Sequence, residues 1–360
     1  MTATGRAVTD SKVVAVSSSS RSMRTLLVLL TLAIVSLTAS ACFVTPIDQK
    51  QKSPTTHLRS GPQTAEFENT DVTPVSANPT PRLPVTVESV RYGEVTVTDA
   101  SRIIAVDISG TLGSIVYALG LGSKVVGRDT STAFPSAAGL PVVTNRGHSL
   151  NAESVLALDP SVVLVSESTV PATAVDQIRD SGVAVVVFPA TRDLASNDTL
   201  MRSVAKTLGV PESGEKLVER TDAQLESARD LVPDPSGDPT MAFLYIRGRN
   251  LLLLAGPGSG ADDLIAELGG KDAGEAARLT GAFTAVTAES MITADPDVVI
   301  VMTQGADTVG GPEGVLSLPG IAETEAGRNG RVVQMDETKI LAFGPDVGLV
   351  LASLAKAIYE

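Results

Sequence analysis

The chain has 360 residues, 43% of them hydrophobic, and a net charge of −13, which is enough apolar material for two medium domains with cores of their own. The acidic balance and the lack of any Lys/Arg run exclude a nucleic-acid partner. Aromatics are only 3% and Trp is absent, which excludes a stacking platform for bases or sugars.

Arg21 and Arg24 precede the apolar run "TLLVLLTLAIVSLT", which ends in the small residues "ASAC". This is the order of an export signal, so residues 1–42 are expected to be a signal peptide, with Cys42, the only cysteine, as the lipidated first residue of the mature chain. Ala39 stands where a large aliphatic residue is usual in a lipidation site, so a plainly cleaved signal remains the alternative; Met23 is a second possible start. A lone cysteine also excludes an internal disulfide and a Cys-x-x-Cys metal site. Residues 43–90 are rich in Pro, Thr, Ser and Gln without an apolar period, and are expected to be a disordered linker in which His57 is solvated.

Strand-like runs then alternate with helix-like ones. "RIIAVD", "KVVGR", "VVLVS" and "VAVVVFP" are short β-branched stretches suited to a parallel sheet buried on both faces. "GTLGSIVYALGLG", "NAESVLALDP" and "PATAVDQIRDSG" between them end in Gly or Pro as helices do. Residues 91–190 are thus expected to form an N-terminal α/β lobe, residues 191–233 a connecting helix, and residues 234–360 a C-terminal α/β lobe with strands such as "MAFLYIRG" and "DVVIVM". The fold class is α/β: two Rossmann-like lobes joined by a single long α-helix.

A repeat supports the two-lobe plan independently of propensity. Ala152, Glu153, Ser154, Asp159, Pro160, Val162, Val163 and Val165 recur 136 residues later as Ala288, Glu289, Ser290, Asp295, Pro296, Val298, Val299 and Val301. That spacing is the size of a domain rather than of a solenoid unit. Ligands of open α/β sheets sit beyond the carboxyl ends of the strands, so the cleft between the lobes is the expected site.

Enzyme motifs are missing. "GPGSGADDLIAELGG" fits neither nucleotide-loop pattern and reads as a strand-to-helix turn with Asp262 or Asp263 at the helix start. With His57 in the linker, His148 in the loop "TNRGHSLNAES" is the one histidine available to a folded site, which excludes a His-rich metal centre. Taken alone, His148 reads equally as a surface or capping residue, Tyr245 as a packed strand residue and Met302 as core filling. Taken together, His148 follows a strand of the first lobe, whereas Tyr245 and Met302 end strands of the second, so all three can reach one cleft. An imidazole and a phenolate facing each other suit the two axial positions of a ferric haem. Arg247 shares a strand face with Phe243 and Tyr245 and is expected to hydrogen-bond the phenolate. The repeat carries a histidine before its first copy only, as a planar ligand with two unlike faces would require.

The lobe–helix–lobe plan, with "ALGLGSKVVGRDTSTAFP", "LNAESVLALDPSVVLV", "GSGADDLIAELGG" and "TAESMITADPDVVIV", resembles the metal-chelate-binding, periplasmic-binding-protein-like family that serves ABC importers of siderophores, cobalamin and haem. Within it, "RGHS", "YIRG" and the late methionine resemble the haem-binding lipoproteins of actinobacterial haem importers. That resemblance implies ferric haem b as transported ligand, His148 and Tyr245 as axial ligands, Arg247 as the partner of the tyrosine, and Met302 as a neighbour or alternate ligand. It implies docking of Glu153 and Glu289, one per lobe, onto an ABC permease dimer with its ATPase. It also implies an extracytoplasmic monomer, held at the outer face of the membrane by a lipid anchor, which receives haem from surface proteins upstream and catalyses nothing. The alternative within the family is a ferric siderophore or cobalamin as ligand. A siderophore would contact Arg146, Tyr245 and Arg247 and leave His148 incidental.

Overall fold

The computed structural model describes residues 57–67, 69–234 and 236–360. The expected signal segment, Cys42 and the linker up to residue 56 lie outside the described residues.

The expectation of a disordered linker running to residue 90 is corrected from Leu58 onward. This segment is a strap packed first on the C-terminal lobe and then on the N-terminal lobe. Leu58 and Ala65 are buried in the core of the former, Val72 and Val87 in that of the latter. Its strand β1 (Gln63–Thr64) pairs in parallel with Val333 and Gln334, and β2 (Val85–Ser89) forms an antiparallel hairpin with β3 (Gly93–Val97). Backbone donors of the strap reach carbonyls of both lobes: Arg59 to Ile358, Val75 to Ala118 and Arg82 to Gly209, each at 2.8 Å. Its widely spaced apolar side chains are buried first in one core and then in the other, so the segment carries no period of its own.

The N-terminal lobe runs β4 (Ile103–Val106), α1 (Thr111–Ala118), β5 (Val125–Arg128), α2 (Ala152–Leu156), β6 (Val162–Ser166), α3 (Ala172–Asp180) and β7 (Ala184–Phe188). Its four strands are parallel in the order β5-β4-β6-β7. Helices cover both faces, which is why every residue of β4 and β6 is buried.

Residues 191–233 form two helices rather than one, α4 (Leu194–Thr207) and α5 (Pro211–Arg229). Pro211 cannot continue a helix, and Gly209 takes φ 70° where the strap passes: a Cβ there would lie 2.7 Å from the Arg82 carbonyl oxygen. The long connection between the lobes is α5. Its Leu217 and Val218 enter the N-terminal core, whereas Leu225 and Ala228 enter the C-terminal one.

The C-terminal lobe contains β8 (Thr240–Ile246), β9 (Leu252–Ala255), α6 (Ala261–Glu267), β10 (Lys271–Asp272), α7 (Ala273–Ala276), β11 (Phe283–Ala285), α8 (Ala288–Ala294), β12 (Val298–Met302), α9 (Thr303–Asp307), α10 (Gly311–Leu316), α11 (Glu325–Asn329), β13 (Val332–Met335), α12 (Glu337–Ile340) and α13 (Val347–Tyr359). The sheet order is β1-β13-β12-β8-β9-β11, with β10 also on β8. The repeat falls on α2–β6 and α8–β12, and both copies place their Asp-Pro aspartate in the left-handed region, Asp159 at φ 46° and Asp295 at φ 38°. The helix cap Asn151 accepts from Ser154 N at 2.8 Å, and Thr287 does the same for Ser290 N at 3.1 Å.

Behind the cleft the lobes are pinned together. Asn197 exchanges two hydrogen bonds with the backbone of Gly344, at 2.7 and 3.1 Å. The Thr111 hydroxyl donates to the Ala342 carbonyl, and Asp263 accepts from Leu194 N at 2.8 Å.

Candidate functional site

Beyond the carboxyl ends of the strands lies a cleft of about 500 Å³ lined from both lobes. Ile108, Ser109, Ser131 and His148 contribute from the first lobe, and Tyr245, Arg247, Phe283, Met302 and Glu337 from the second. His148, Tyr245, Arg247 and Met302, all expected from the sequence, line this space, and most of its surface is apolar.

His148 reaches the cleft through a short 3₁₀ turn in which Gly147 at φ 74° and His148 at φ 63° both adopt the left-handed region. Strain of this kind in a histidine persists where the surroundings dictate it. The half-buried ring places Nδ1 3.3 Å from the Ser131 hydroxyl, which itself donates to the Ile108 carbonyl at 2.7 Å. A hydroxyl has one proton, so Ser131 accepts at Nδ1 and the imidazole carries its proton there. Nε2 is left with a free lone pair, the arrangement a metal-ligating histidine needs.

Ser131 is in turn held by a buried acidic pair. Asp129 accepts from Asp107 N at 2.9 Å and from Thr132 N at 2.6 Å, fixing the loop on either side of Ser131. Burial first, and then the neighbouring Asp107 carboxylate, push the Asp129 carboxyl up to about 7. Arg192 supplies the countercharge to Asp107 at 2.7 Å, whereas Asp129 makes no ion pair among the described residues and is the carboxyl pushed up.

Tyr245 comes from the penultimate residue of β8 and packs partly buried against the C-terminal core and edge-on to Phe283, with ring centroids 6.2 Å apart. Arg247 departs from expectation. Its guanidinium lies over the Tyr245 ring, 4.3 Å from the centroid, and Nη1 donates to the Ile246 carbonyl at 2.8 Å. The chain turns at Gly248, φ 69°, and Arg247 N bonds Leu251 O, so the side chain folds back over the ring instead of reaching the phenolic oxygen. A cation over a π face contributes about 0.5–1 kcal/mol at an exposed site. Met302 is buried at the end of β12 and shows its edge to the cleft.

Ser131, Glu337, Phe283 and Ile108 were not singled out in the sequence. Glu337 follows the last strand directly, so the strand-end rule applied to β13 would have found it. Ser131 has no pattern of its own. Glu153 and Glu289 are exposed at equivalent positions in the first turns of α2 and α8, away from the cleft lining.

A profile described as periplasmic binding protein matches residues 106–338. A curated relative from Bacillus subtilis (strain 168), the uncharacterized ABC transporter substrate-binding lipoprotein YvrC, is 26% identical over 281 residues, covering 77% of this chain and 86% of that protein. The crystal structure of heme binding protein HmuT is 37% identical with a TM-score of 0.77 and covers 84% of this chain and 98% of that chain. HmuT has also been solved with a histidine, an arginine or a tyrosine replaced by alanine. The periplasmic heme-binding protein RhuT from Roseiflexus sp. RS-1, in apo form, is 34% identical with a TM-score of 0.67 and covers 72% of this chain and 98% of that chain. With the profile spanning both lobes and the cleft between them, the chain belongs to the periplasmic binding protein family.

Proposed function

We propose that this protein captures ferric haem between its lobes and delivers it to the permease of an ABC importer. The observation that carries the reading is the pairing across one cleft of His148, with its Nε2 free, and Tyr245, with Met302 beside it. Ferric iron accepts imidazole nitrogen and phenolate oxygen, and the apolar wall suits a porphyrin face. The heme-binding names of HmuT and RhuT, and the alanine variants of HmuT at residue types that this cleft also contains, support it.

The rest of the transport role follows from that reading. Glu153 and Glu289, exposed once on each lobe, meet the two halves of a symmetric permease dimer. Cys42 carries a lipid that holds the protein at the outer face of the membrane, as the lipoprotein name of YvrC supports. The protein acts as a monomer that binds and delivers without catalysis. With α5, the strap and the hydrogen bonds behind the cleft joining the lobes, release depends on the permease distorting the cleft rather than on a wide hinge. X-ray scattering of the free and haem-loaded forms is expected to give closely similar curves, and a large rotation would contradict that mode of release.

Absorbance titration of the full chain with hemin tests the reading. A saturable one-to-one Soret shift weakened by His148→Ala and by Tyr245→Ala is expected. No shift, or one indifferent to both substitutions, removes haem and leaves another ferric chelate as ligand.

A further inference from the structure

Glu337 stands in the cleft wall and is not among the residues the haem reading assigns to the iron. Its place follows from topology: β13, β12 and β8 are neighbours, and at their carboxyl ends stand Glu337, Met302 and Tyr245. One carboxyl oxygen, Oε1, accepts from the backbone N–H of Gly305 at 3.1 Å. The other, Oε2, is buried and has no hydrogen-bond partner among the described residues. Burial pushes this carboxyl above its ordinary value, while backbone donors, Gly305 among them, pull it back.

Among the described residues that line the cleft, Arg247 is the cation and Glu337 the anion. Arg247 is engaged with the Tyr245 ring and the Ile246 carbonyl and makes no ion pair with the acid. Gly305 separates the two. A Cβ there would come within 2.9 Å of Ile246 O and 3.4 Å of Arg247 Nη1, while the Gly305 N–H is held by Glu337. Because Oε2 is already withdrawn from solvent, an apolar ligand surface laid beside it removes little further hydration, whereas a ligand bearing several negative charges meets its charge in a partly buried site. Ferric haem is a ligand of the first kind, because its two propionates lie on one edge and can be turned to the cleft mouth. A ferric tris-catecholate, with three negative charges spread over a compact body, cannot turn them away.

We propose, resting on the haem reading, that Glu337 is a specificity-determining residue whose carboxylate excludes multiply anionic ferric chelates from the cleft. The repulsive element thus sits beside the groups that attract iron. Gly305 keeps its partner if the acid becomes an amide, so charge can be removed without removing the scaffold.

The test uses the full chain, hemin followed by its Soret band, and the iron complex of three catechols followed by equilibrium dialysis. Glu337→Gln is expected to raise catecholate affinity at least about tenfold, as the loss of one like charge in a partly buried site implies. Hemin affinity is expected to change by less than about threefold, a much smaller step on the same scale. Glu337→Met, uncharged and of similar size, should act in the same direction, and Glu337→Asp should behave as wild type. A parallel loss of both ligands in the neutral variants would assign Glu337 a scaffold role and overturn the proposal, as would the absence of any catecholate gain. Failure of wild type to bind hemin would bring down the haem reading by itself, and the catecholate measurement reports on Glu337 separately.

Discussion

The two copies of the repeat share a frame and differ in where they put their chemistry. In the N-terminal lobe the functional group precedes the helix: His148 sits in a strained turn before α2, steered by the Ser131 loop. In the C-terminal lobe the position equivalent to His148 is Thr284, in strand β11 beside the cleft residue Phe283, and the candidate iron-binding groups stand at strand ends as Tyr245 and Met302. A loop can be bent to aim one side chain at one point, whereas adjacent strand ends deliver a row of side chains about 4.8 Å apart. The first lobe therefore offers one aimed donor, and the second offers a wall.

If that contrast is right, damage to the wall should cost more than damage to the aimed donor. Tyr245→Ala is expected to lower hemin affinity about 100-fold, on the order of 3 kcal/mol, in an absorbance titration. His148→Ala is expected to cost about tenfold, on the order of 1.4 kcal/mol, because the wall remains to hold the porphyrin. Equal losses would erase the distinction between the lobes.

The steering of His148 can be tested without touching the imidazole. Asp129 has its folded pKa raised above the ordinary value of 3.8 to about 7. Its contribution to stability is therefore full below about 4 and is lost as pH rises through about 7. The melting temperature of wild type is expected to fall by about 5 °C between roughly pH 5 and pH 8 through this group. Asp129→Asn should flatten that slope, and calorimetry across the range measures it. The smallest effect is expected for Ser131→Ala, about threefold in hemin affinity, or roughly 0.7 kcal/mol, since it frees the ring without removing the ligand. An unchanged affinity would show that the turn alone aims His148.

Much of the frame was legible in the sequence because burial on both faces of a parallel sheet writes itself as β-branched runs, and the repeat carried over to matching helix–strand units with left-handed Asp159 and Asp295. The cleft residues His148, Tyr245 and Met302 were legible because strand ends and the loops after them are where such folds place ligands. The strap was not legible: Leu58 and Ala65 are buried in one lobe's core and Val72 and Val87 in the other's, and composition alone made them resemble a linker. Nor was the break between α4 and α5 at Gly209 and Pro211, which matters because the strap crosses there.

The sequence by itself determined the local choices, namely which segments are strands, which are helices, where the helices are capped, and which residue types are available to bind iron. Periodicity and capping act within a few residues, so they can be read without the fold. Only the tertiary structure decided that Arg247 lies on the ring of Tyr245 and not at its oxygen, that Ser131 fixes the proton of His148, and that Glu337 faces the cleft. Each of these depends on how chain segments meet after the strands have been ordered into a sheet, and no spacing along the chain encodes that meeting.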